Sequence, residues 1–398
     1  MSGKILDPDL SAEGFASYQW AKSHMTMIEK IVERYILKKP LTGLRLGFCL
    51  HITKETSVLA TSAQLLGADI AICSANPLST NDEAAAFLYS KGIQTFAWKD
   101  QTKDEYNDCI NNVLKFNPNI ITDDGADLHT AAHMRTTSHI FGGTEETTTG
   151  VSRLESMQAK NLLNYPVIAV NNAPTKHMFD NRYGTGQSTI DGILRITGIL
   201  LAGKRFVVCG YGWVGRGVCF KARGMGAIVS VTEIDPIKAL EAHMDGFDVK
   251  PLSDLSSYGD VFVTCTGATN VIKEEHMKRM KDGAILCNAG HFDVEIDVSY
   301  LNSRAGKPRP VRSNIDCYDF NGNRIYLLSK GRVVNLVGAE GNPSEVMALS
   351  FANQLLAIIY LSENHDSLEN RIHDIPQQIN IEVARFAIEA ANLKIDSV

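Results

Sequence analysis

The run RFVVCGYGWVGRGVCFKARGMGAIVSVTE (205–233) constrains the fold more than any other part of the chain. RFVVC is an apolar, strand-length stretch that leads straight into Gly210, Gly212 and Gly215 of a GxGxxG turn. A helix-length segment follows, and AIVSVTE reads as the next strand. In such a turn the first glycine permits the tight bend, the second lets the backbone approach a pyrophosphate, and the third lets helix and strand pack closely. The helix N-terminus then faces the phosphates. Glu233 ends the second strand 18 residues after Gly215. Its carboxylate can hold a ribose 2′-OH and repels a 2′-phosphate. No Arg or Lys follows in IDPI, so NAD is expected over NADP. A glycine-rich turn alone often only turns; here the strand before it and the helix and strand after it argue for the cofactor.

The rest of the chain follows the same alternation of strand and helix. LRLGFCLH (44–51), DIAICSA (69–75), GIQTFAW (92–98), NIITDDGADL (119–128) and PVIAVNNA (166–173) read as strands, the fourth running into an acidic turn. KETSVLATSAQLLGA (54–68) has helical spacing. Further on, strands are expected at 205–210, 227–233, 260–265 and 283–288, with short β segments near 324–336. From Pro343 the pattern returns to helix. Alternation of this kind builds parallel sheets covered on both faces. The expectation is an α/β protein of two doubly wound, Rossmann-like domains. The NAD domain (187–341) is inserted into a substrate domain (1–180 and 344–398), with hinges near 173–187 and 336–343. Ligands of such sheets lie outside the carboxyl ends of the strands. His51, Thr53, Asn76, Asp123, Asp124, Asn171 and Asn172 stand at those ends.

At 398 residues the chain is long enough for two or three cores. A net charge of −6 disfavours a nucleic-acid partner, because phosphate-tracking surfaces are basic. No apolar run reads as long enough to span a membrane, and MSGKILDPDLSAEG lacks an apolar signal core, so a cytoplasmic protein is expected. Eight cysteines are scattered without a CxxC pair, several inside apolar runs, and read as reduced, buried thiols. His129 and His133 in HTAAH could share a helix face. With no Glu between them and no third ligand, they read as polar residues on a helix surface, and no metal is expected.

Two segments fit no plain element. GGTEETTTG (142–150) sets two carboxylates before three hydroxyls, more than a helix cap requires. NNAPTKHMFDNRYGTGQST (171–189) is polar and rich in turn residues, and carries Lys176 and Asp180 four apart. The pair reads either as a surface ion pair or as a lysine tuned for proton transfer.

These segments belong to a wider set: HITKET, ANPLST, DDGADL, GGTEETTTG, VNNAPTKHMFDNRYGTGQST, GYGWVGRG, TEIDP, MDGF, MKDGAILCNAGHFDVEID, GRVVNL and SFANQ. Along nearly its whole length the chain resembles the S-adenosyl-L-homocysteine hydrolase family. The resemblance implies reversible hydrolysis of S-adenosyl-L-homocysteine to adenosine and homocysteine, a step of the methyl cycle, with tightly bound NAD. Oxidation of the ribose 3′-OH to a ketone acidifies C4′–H, homocysteine leaves from C5′, water adds, and the hydride is returned. There is no net redox change.

The resemblance also implies roles. Lys176 and Asp180 sit at the 3′-OH, with Lys176 as the base and its neutral form favoured by desolvation. Asp124 accepts the C4′ proton, His51 assists at the 5′ position, and Glu146 binds the ribose hydroxyls. Thr53 and Glu55 read the purine edge, Asn76, Asn342, Met347 and Phe351 complete the substrate site, and His291 and Phe292 gate the homocysteine entrance. Thr147, Thr148, Thr149, Asn181, Gly210, Gly212, Gly215, Glu233, Asn288 and Asn335 bind NAD. A homotetramer, or a dimer, is implied.

Two departures from the family pattern stand out. The hinge usually reads Gly-His-Pro; here it is GNP, with Asn342 in place of His. Asn donates and accepts but carries no charge, so nucleobase preference, domain closure and any monovalent-cation response are affected. S-inosyl-homocysteine becomes an alternative substrate, although Glu55 suits an exocyclic amino group better than a carbonyl. Many family members also carry a C-terminal extension whose Lys and Tyr reach a neighbour's NAD. This sequence ends NLKIDSV, so weaker NAD retention is expected. Two other functions fit part of the pattern: a catalytically reduced NAD- and nucleoside-binding regulator, and an ordinary NAD-dependent hydroxy-acid dehydrogenase. The proton-transfer residues speak against the first. The second rests on fold alone.

Overall fold

The computed structural model describes residues 3–135, 139–290, 293–320 and 322–396. The chain forms two compact units, one of residues 1–177 and 344–398, the other of residues 178–343.

The strands of the first unit are β1 (Lys4–Ile5), β2 (Arg45–Leu50), β3 (Asp69–Ser74), β4 (Gln94–Ala97), β5 (Ile120–Asp123), β6 (Gly142–Glu145), β7 (Val167–Ala169) and, late in the chain, β16 (Ile372–Asp374). They form one sheet in the order β1-β4-β3-β2-β5-β6-β7-β16, parallel throughout. Leu46, Phe48, Ile70, Ile72, Ile120 and Ile168 are buried. Such continuous apolar runs are what a parallel sheet covered on both faces demands. The order reverses between β2 and β5, so the ends of those strands flank the crevice where a doubly wound sheet takes its ligand.

The second unit has β8 (Arg205–Cys209), β9 (Ile228–Thr232), β10 (Asp248–Val249), β11 (Val261–Thr264), β12 (Ala284–Asn288), β13 (Arg309–Arg312), β14 (Ile315–Phe320) and β15 (Asn323–Leu328). Their order is β10-β9-β8-β11-β12-β15-β14-β13, parallel as far as β15 and antiparallel at β14 and β13. Here the order reverses between β8 and β11, and the glycine turn follows β8. Two doubly wound α/β sheets, the second inserted in the first, are the fold class to which the sequence leads.

Three readings need correction. GGTEETTTG is not an irregular segment: Gly142–Glu145 is the buried strand β6, and Thr147 caps the helix Thr148–Gln158 by accepting from Gly150 N at 3.2 Å. Its glycines answer to distant neighbours. A Cβ on Gly143 would lie 2.3 Å from His129 Cε1, and one on Gly142 would lie 2.9 Å from Leu361 Cδ2. His129 and His133 are not surface residues; both are buried. The His129 ring meets Tyr165 Oη at 3.0 Å and Thr144 O at 3.1 Å, and His133 stacks on Tyr165 with centroids 4.1 Å apart. Finally, the helical stretch Ser344–Ser367 contains an 18-residue window of mean hydropathy 1.4, long and apolar enough to cross a membrane. Its Phe351, Leu355 and Ile358 lie in the core of the first unit.

The second unit depends on a close helix crossing. A Cβ on Gly217, in the helix Trp213–Gly224, would lie 1.8 Å from Arg182 O, and one on Gly186, in the helix Thr185–Thr197, would lie 2.6 Å from Gly217 C. Overpacking of this kind typically costs about 1–3 kcal/mol. Gly217→Ala is therefore expected to lower the urea midpoint of the second unit at unchanged slope. An unaltered midpoint would refute the close-packing argument.

Candidate active site

In the first unit the polar residues gather at the carboxyl ends of β2, β3, β5, β6 and β7. His51 follows β2. Its Nδ1 hydrogen-bonds Ser79 Oγ, which also reaches the carbonyl of Asn76 at 2.9 Å. Nε2 lies 3.7 Å from Asp124 Oδ2. Asn76 itself caps the turn Pro77–Ser79 by accepting from Leu78 N at 3.0 Å. Asp124 follows β5, its amide held by Cys49 O at 3.0 Å and by Asp123 Oδ1 at 2.9 Å.

Glu146 follows β6, with its amide on Asp123 O at 3.0 Å. One carboxylate oxygen lies 3.6 Å from Lys176 Nζ, and the other accepts from Gln354 Nε2 at 2.6 Å. Lys176 is only 4% exposed and also reaches Asn171 Oδ1 at 3.4 Å. It is no surface ion-pair residue. Asn171 in turn donates to Thr148 Oγ1 at 3.0 Å. Thr53 caps the helix Lys54–Leu65, and Glu55, in its first turn, is buried with Ser344 Oγ donating to it at 2.6 Å and Lys54 Nζ at 3.3 Å. Thr147 binds Glu145, while Thr148 and Thr149 open the helix that Thr147 caps. Met347 is half-buried, and Phe351 belongs to the core.

In the second unit the glycine turn has the geometry its sequence demands. Gly210 has φ +102°, a conformation that L side chains rarely adopt. A Cβ on Gly215 would lie 2.0 Å from Gly210 O, whereas one on Gly212 would meet no atom within 4 Å. Gly212 thus faces open space at the start of the helix Trp213–Gly224, where amide groups and the helix dipole suit an anion. Glu233 follows β9 and accepts from Tyr211 N at 2.7 Å and from Ile234 N at 2.7 Å, with lone pairs left for a ribose hydroxyl. Asn335 is buried; its amide donates to Ser188 Oγ at 3.2 Å, and Oδ1 has no partner among the described residues. A buried acceptor of this kind suits a carboxamide N–H. These residues fit NAD. Asn288 instead organises its own turn, accepting from Thr264 Oγ1 at 3.0 Å and Gly290 N at 2.8 Å. Asp180, buried, and Asn181 begin a π-helical turn over Asp180–Gly184. The amide of Asn342 donates to Asp180 Oδ1 at 2.6 Å and to Thr185 Oγ1 at 3.2 Å, and accepts from Ser188 Oγ at 2.8 Å. His291 and Phe292 lie outside the described residues.

Gln354 and Ser79 were not anticipated, and Asn171, expected only at a strand end, proves to be a partner of Lys176. Gln354 carried a readable signal: with Asn353 it forms a buried polar pair inside an otherwise apolar helix. Also unanticipated is the buried group Asp123, His129 and Glu145, whose ligand-type atoms lie within 4.8 Å of one another. Both ring nitrogens of His129 already have protein partners. Burial, reinforced by the neighbouring acidic groups, pushes the carboxyls of Asp123 and Glu145 above the usual carboxylate range.

A family model described as "S-adenosyl-L-homocysteine hydrolase" matches residues 3–137, and one described as "S-adenosyl-L-homocysteine hydrolase, NAD binding domain" matches residues 181–341. The chain is 53% identical over 402 residues to the adenosylhomocysteinase of Saccharolobus solfataricus, covering 100% of this chain and 96% of that protein. It is 52% identical over 398 residues to the adenosylhomocysteinase of Sulfurisphaera tokodaii, with the same coverage. The S-inosyl-L-homocysteine hydrolase of Methanocaldococcus jannaschii is 47% identical over 398 residues, covering 99% of this chain and 96% of its own.

The histidines beneath the site make stability depend on pH. Burial pushes His133 down to about 4 and, with the charge of His133 second, His129 down to about 3. An unfolded histidine titrates near about 6.5. Below that pH the unfolded chain therefore binds protons that the folded chain does not, and this contribution to stability is lost as pH falls towards 4. The raised carboxyls act with the opposite sign. His133→Phe keeps the stack on Tyr165 and removes one of these titrations. Relative to the parent protein it is expected to gain up to about 1.4 kcal/mol per pH unit between pH 6.5 and 4. Urea unfolding at pH 7 and pH 5 measures the difference, and a pH-independent difference would refute the assignment.

Proposed function

The chain belongs to the S-adenosyl-L-homocysteine hydrolase family and takes NAD as its cofactor, and from this we propose that it cleaves S-adenosyl-L-homocysteine reversibly into adenosine and homocysteine. The observation that carries the reading is the buried Lys176, held against Glu146 by a network that includes Asn171 and Gln354. Lysine is rarely buried unless paired, and a buried lysine–carboxylate pair at a ligand crevice is a candidate for proton transfer.

NAD, when bound, accepts the hydride of ribose C3′ and later returns it. The remaining chemistry falls to side chains. Lys176 takes the 3′-OH proton as the ketone forms, with Asp180 as the second polar group assigned to that hydroxyl. Glu146 is fixed by Gln354, which leaves its carboxylate oriented to accept from the ribose hydroxyls. Asp124 takes the acidified C4′ proton. The electrons of that bond form the C4′–C5′ double bond and expel homocysteine as its thiolate. Water then adds at C5′ with its proton going to His51, which passes that proton to the thiolate, and Asp124 returns its proton to C4′. Thr53 and Glu55 serve the purine. The glycine turn, Glu233, Asn335, Asn181, Asn288 and Thr147–Thr149 serve NAD, and His291, Phe292, Asn76, Met347 and Phe351 complete the substrate site. Segments 173–187 and 336–343 act as hinges.

S-inosyl-homocysteine is the second reading, favoured by Asn342 in place of His. The commitment of the Asn342 amide to Asp180, Thr185 and Ser188 supports a role in holding Asp180 rather than in choosing the base. We further propose self-association as a tetramer or dimer in the cytoplasm. Ile234, Ile237, Leu240 and Met244, on and before the helix Pro236–Met244, form an exposed apolar stripe that invites a partner. The eight cysteines are free, which suits a reducing compartment.

Two measurements test the reading. With a thiol reagent present, S-adenosyl-homocysteine should release thiol faster than S-inosyl-homocysteine, without accumulation of NADH. Absence of thiol release with both substrates would favour the regulator, and faster cleavage of the inosyl compound would reverse the base preference. Lys176→Ala should lower kcat by about 10²–10⁴-fold while leaving bound NAD unchanged. Undiminished turnover would remove Lys176 from the base role.

A further inference from the structure

Two acidic doublets end adjacent strands: Asp123–Asp124 at β5 and Glu145–Glu146 at β6. Asp123 and Glu145 are register partners in the parallel pair. Successive side chains of a strand point to opposite sides. The second member of each doublet is the one assigned to the ribose. The first members are fully buried, 0% exposed.

Their hydrogen bonds show what they do. Glu145 Oε1 accepts from Gly125 N at 2.9 Å, from Thr147 N at 3.0 Å and from Thr147 Oγ1 at 2.9 Å. One oxygen therefore ties the residue after Asp124 to the residue after Glu146. Asp123 uses Oδ1 for Asp124 N at 2.9 Å and Oδ2 for His129 N at 2.8 Å. The turn so held is unusual. Gly125 has φ +107° and Ala126 φ +63°, two consecutive left-handed residues, the second of them not glycine. Such a conformation costs free energy and persists only where the surroundings fix it. Arg153, from the helix that Thr147 caps, adds a third tie through Asp127 Oδ1 at 2.8 Å and Gly125 O. Glu145 packs so tightly against that helix that a Cβ on Gly150 would lie 2.1 Å from its Oε1.

We propose that Glu145, with Asp123 beside it, is a positioning residue: it locks the turn carrying Asp124 to the loop carrying Glu146, so that the C4′ proton acceptor and the ribose-binding carboxylate keep a fixed separation. The proposal rests on the roles given above to Asp124 and Glu146. What matters is the acceptor at Oε1. Glu145 Oε2 is buried without a partner among the described residues and faces a second carboxyl, surroundings that favour the neutral acid, which an amide imitates.

The test uses the NAD-loaded enzyme and reads kcat, KM for S-adenosyl-homocysteine, and wash-in of solvent deuterium at C4′ of adenosine. Glu145→Gln keeps the acceptor, and kcat and wash-in should stay within about threefold of the parent. Glu145→Met keeps the volume and loses the acceptor. Its kcat and wash-in should fall together by about 10²-fold, the cost typical of misplaced groups, with KM changed less than about threefold. Asp124→Asn is the control. If it retains wash-in, the reading of Asp124 fails. If it loses wash-in while folded Glu145→Met retains it, the positioning proposal fails alone. Equal loss in Glu145→Gln and Glu145→Met also overturns it. Should Glu145→Met not fold, Glu145→Asp, which withdraws the acceptor by one methylene, carries the same expectation. Failure of both to fold would make Glu145 a residue of the fold and overturn the proposal.

Discussion

The first unit depends on keeping ionisable groups away from water and still satisfied. Lys176 and Glu146 are both nearly inaccessible. Removing one partner from such a pair leaves the other buried and unsatisfied, typically at a cost of about 1–3 kcal/mol. Neither Coulomb attraction nor burial alone would hold the pair in one geometry. The neutral amides do, with Asn171 on the lysine and Gln354 on the carboxylate. Gln354 comes from the helix Ser344–Asn364, which the chain reaches only after completing the second unit. The returning segment therefore contributes more than apolar cover. Without it, one oxygen of Glu146 would lack its donor, and the network could not close.

The two sheets share a topology but use their switch points differently. At the first, the strand ends carry His, Asp, Glu and Asn, each pinned by a neighbour, and it is to these side chains that the chemistry is proposed to fall. At the second, a pyrophosphate is the proposed ligand, and for it backbone amides at a helix start suffice. The requirement there is the absence of side chains, which is why glycines mark it. Glu295 does for the second sheet what Glu145 does for the first. It is buried and accepts from Thr266 N, Thr266 Oγ1 and Gly267 N, fixing the loop after β11.

This contrast explains what could be read from the sequence. The glycine turn was legible because its main constraints are local: Gly210 takes a left-handed φ, and Gly215 packs against Gly210 O. The alternation of strands and helices was legible for the same reason, since periodicity is local. Strand β6 was not. Its composition is set by His129 and Leu361, which no window around 142–145 contains. The burial of His129 and His133 was hidden likewise, because Tyr165 is remote in sequence. The residues assigned to the ribose were reached through long motifs rather than through geometry, and the partners that hold them, Gln354 and Asn171 among them, became apparent only in three dimensions.

The doublets DD and EE are the instructive intermediate. Taken singly, two adjacent carboxylates suggest redundancy, or a turn and a cap. Two such doublets at the ends of neighbouring parallel strands cannot be redundant, because the pleat sends successive side chains to opposite sides. One carboxyl of each doublet must enter the protein, and there it is tolerable only as a neutral acid or as an acceptor for several donors. Asp123 and Glu145 meet that condition by binding the amides that shape the adjoining loops. The burial of one carboxyl and the placement of the next are thus a single structural fact. A strand that ends in two acids has one with which to hold the loop and one with which to work.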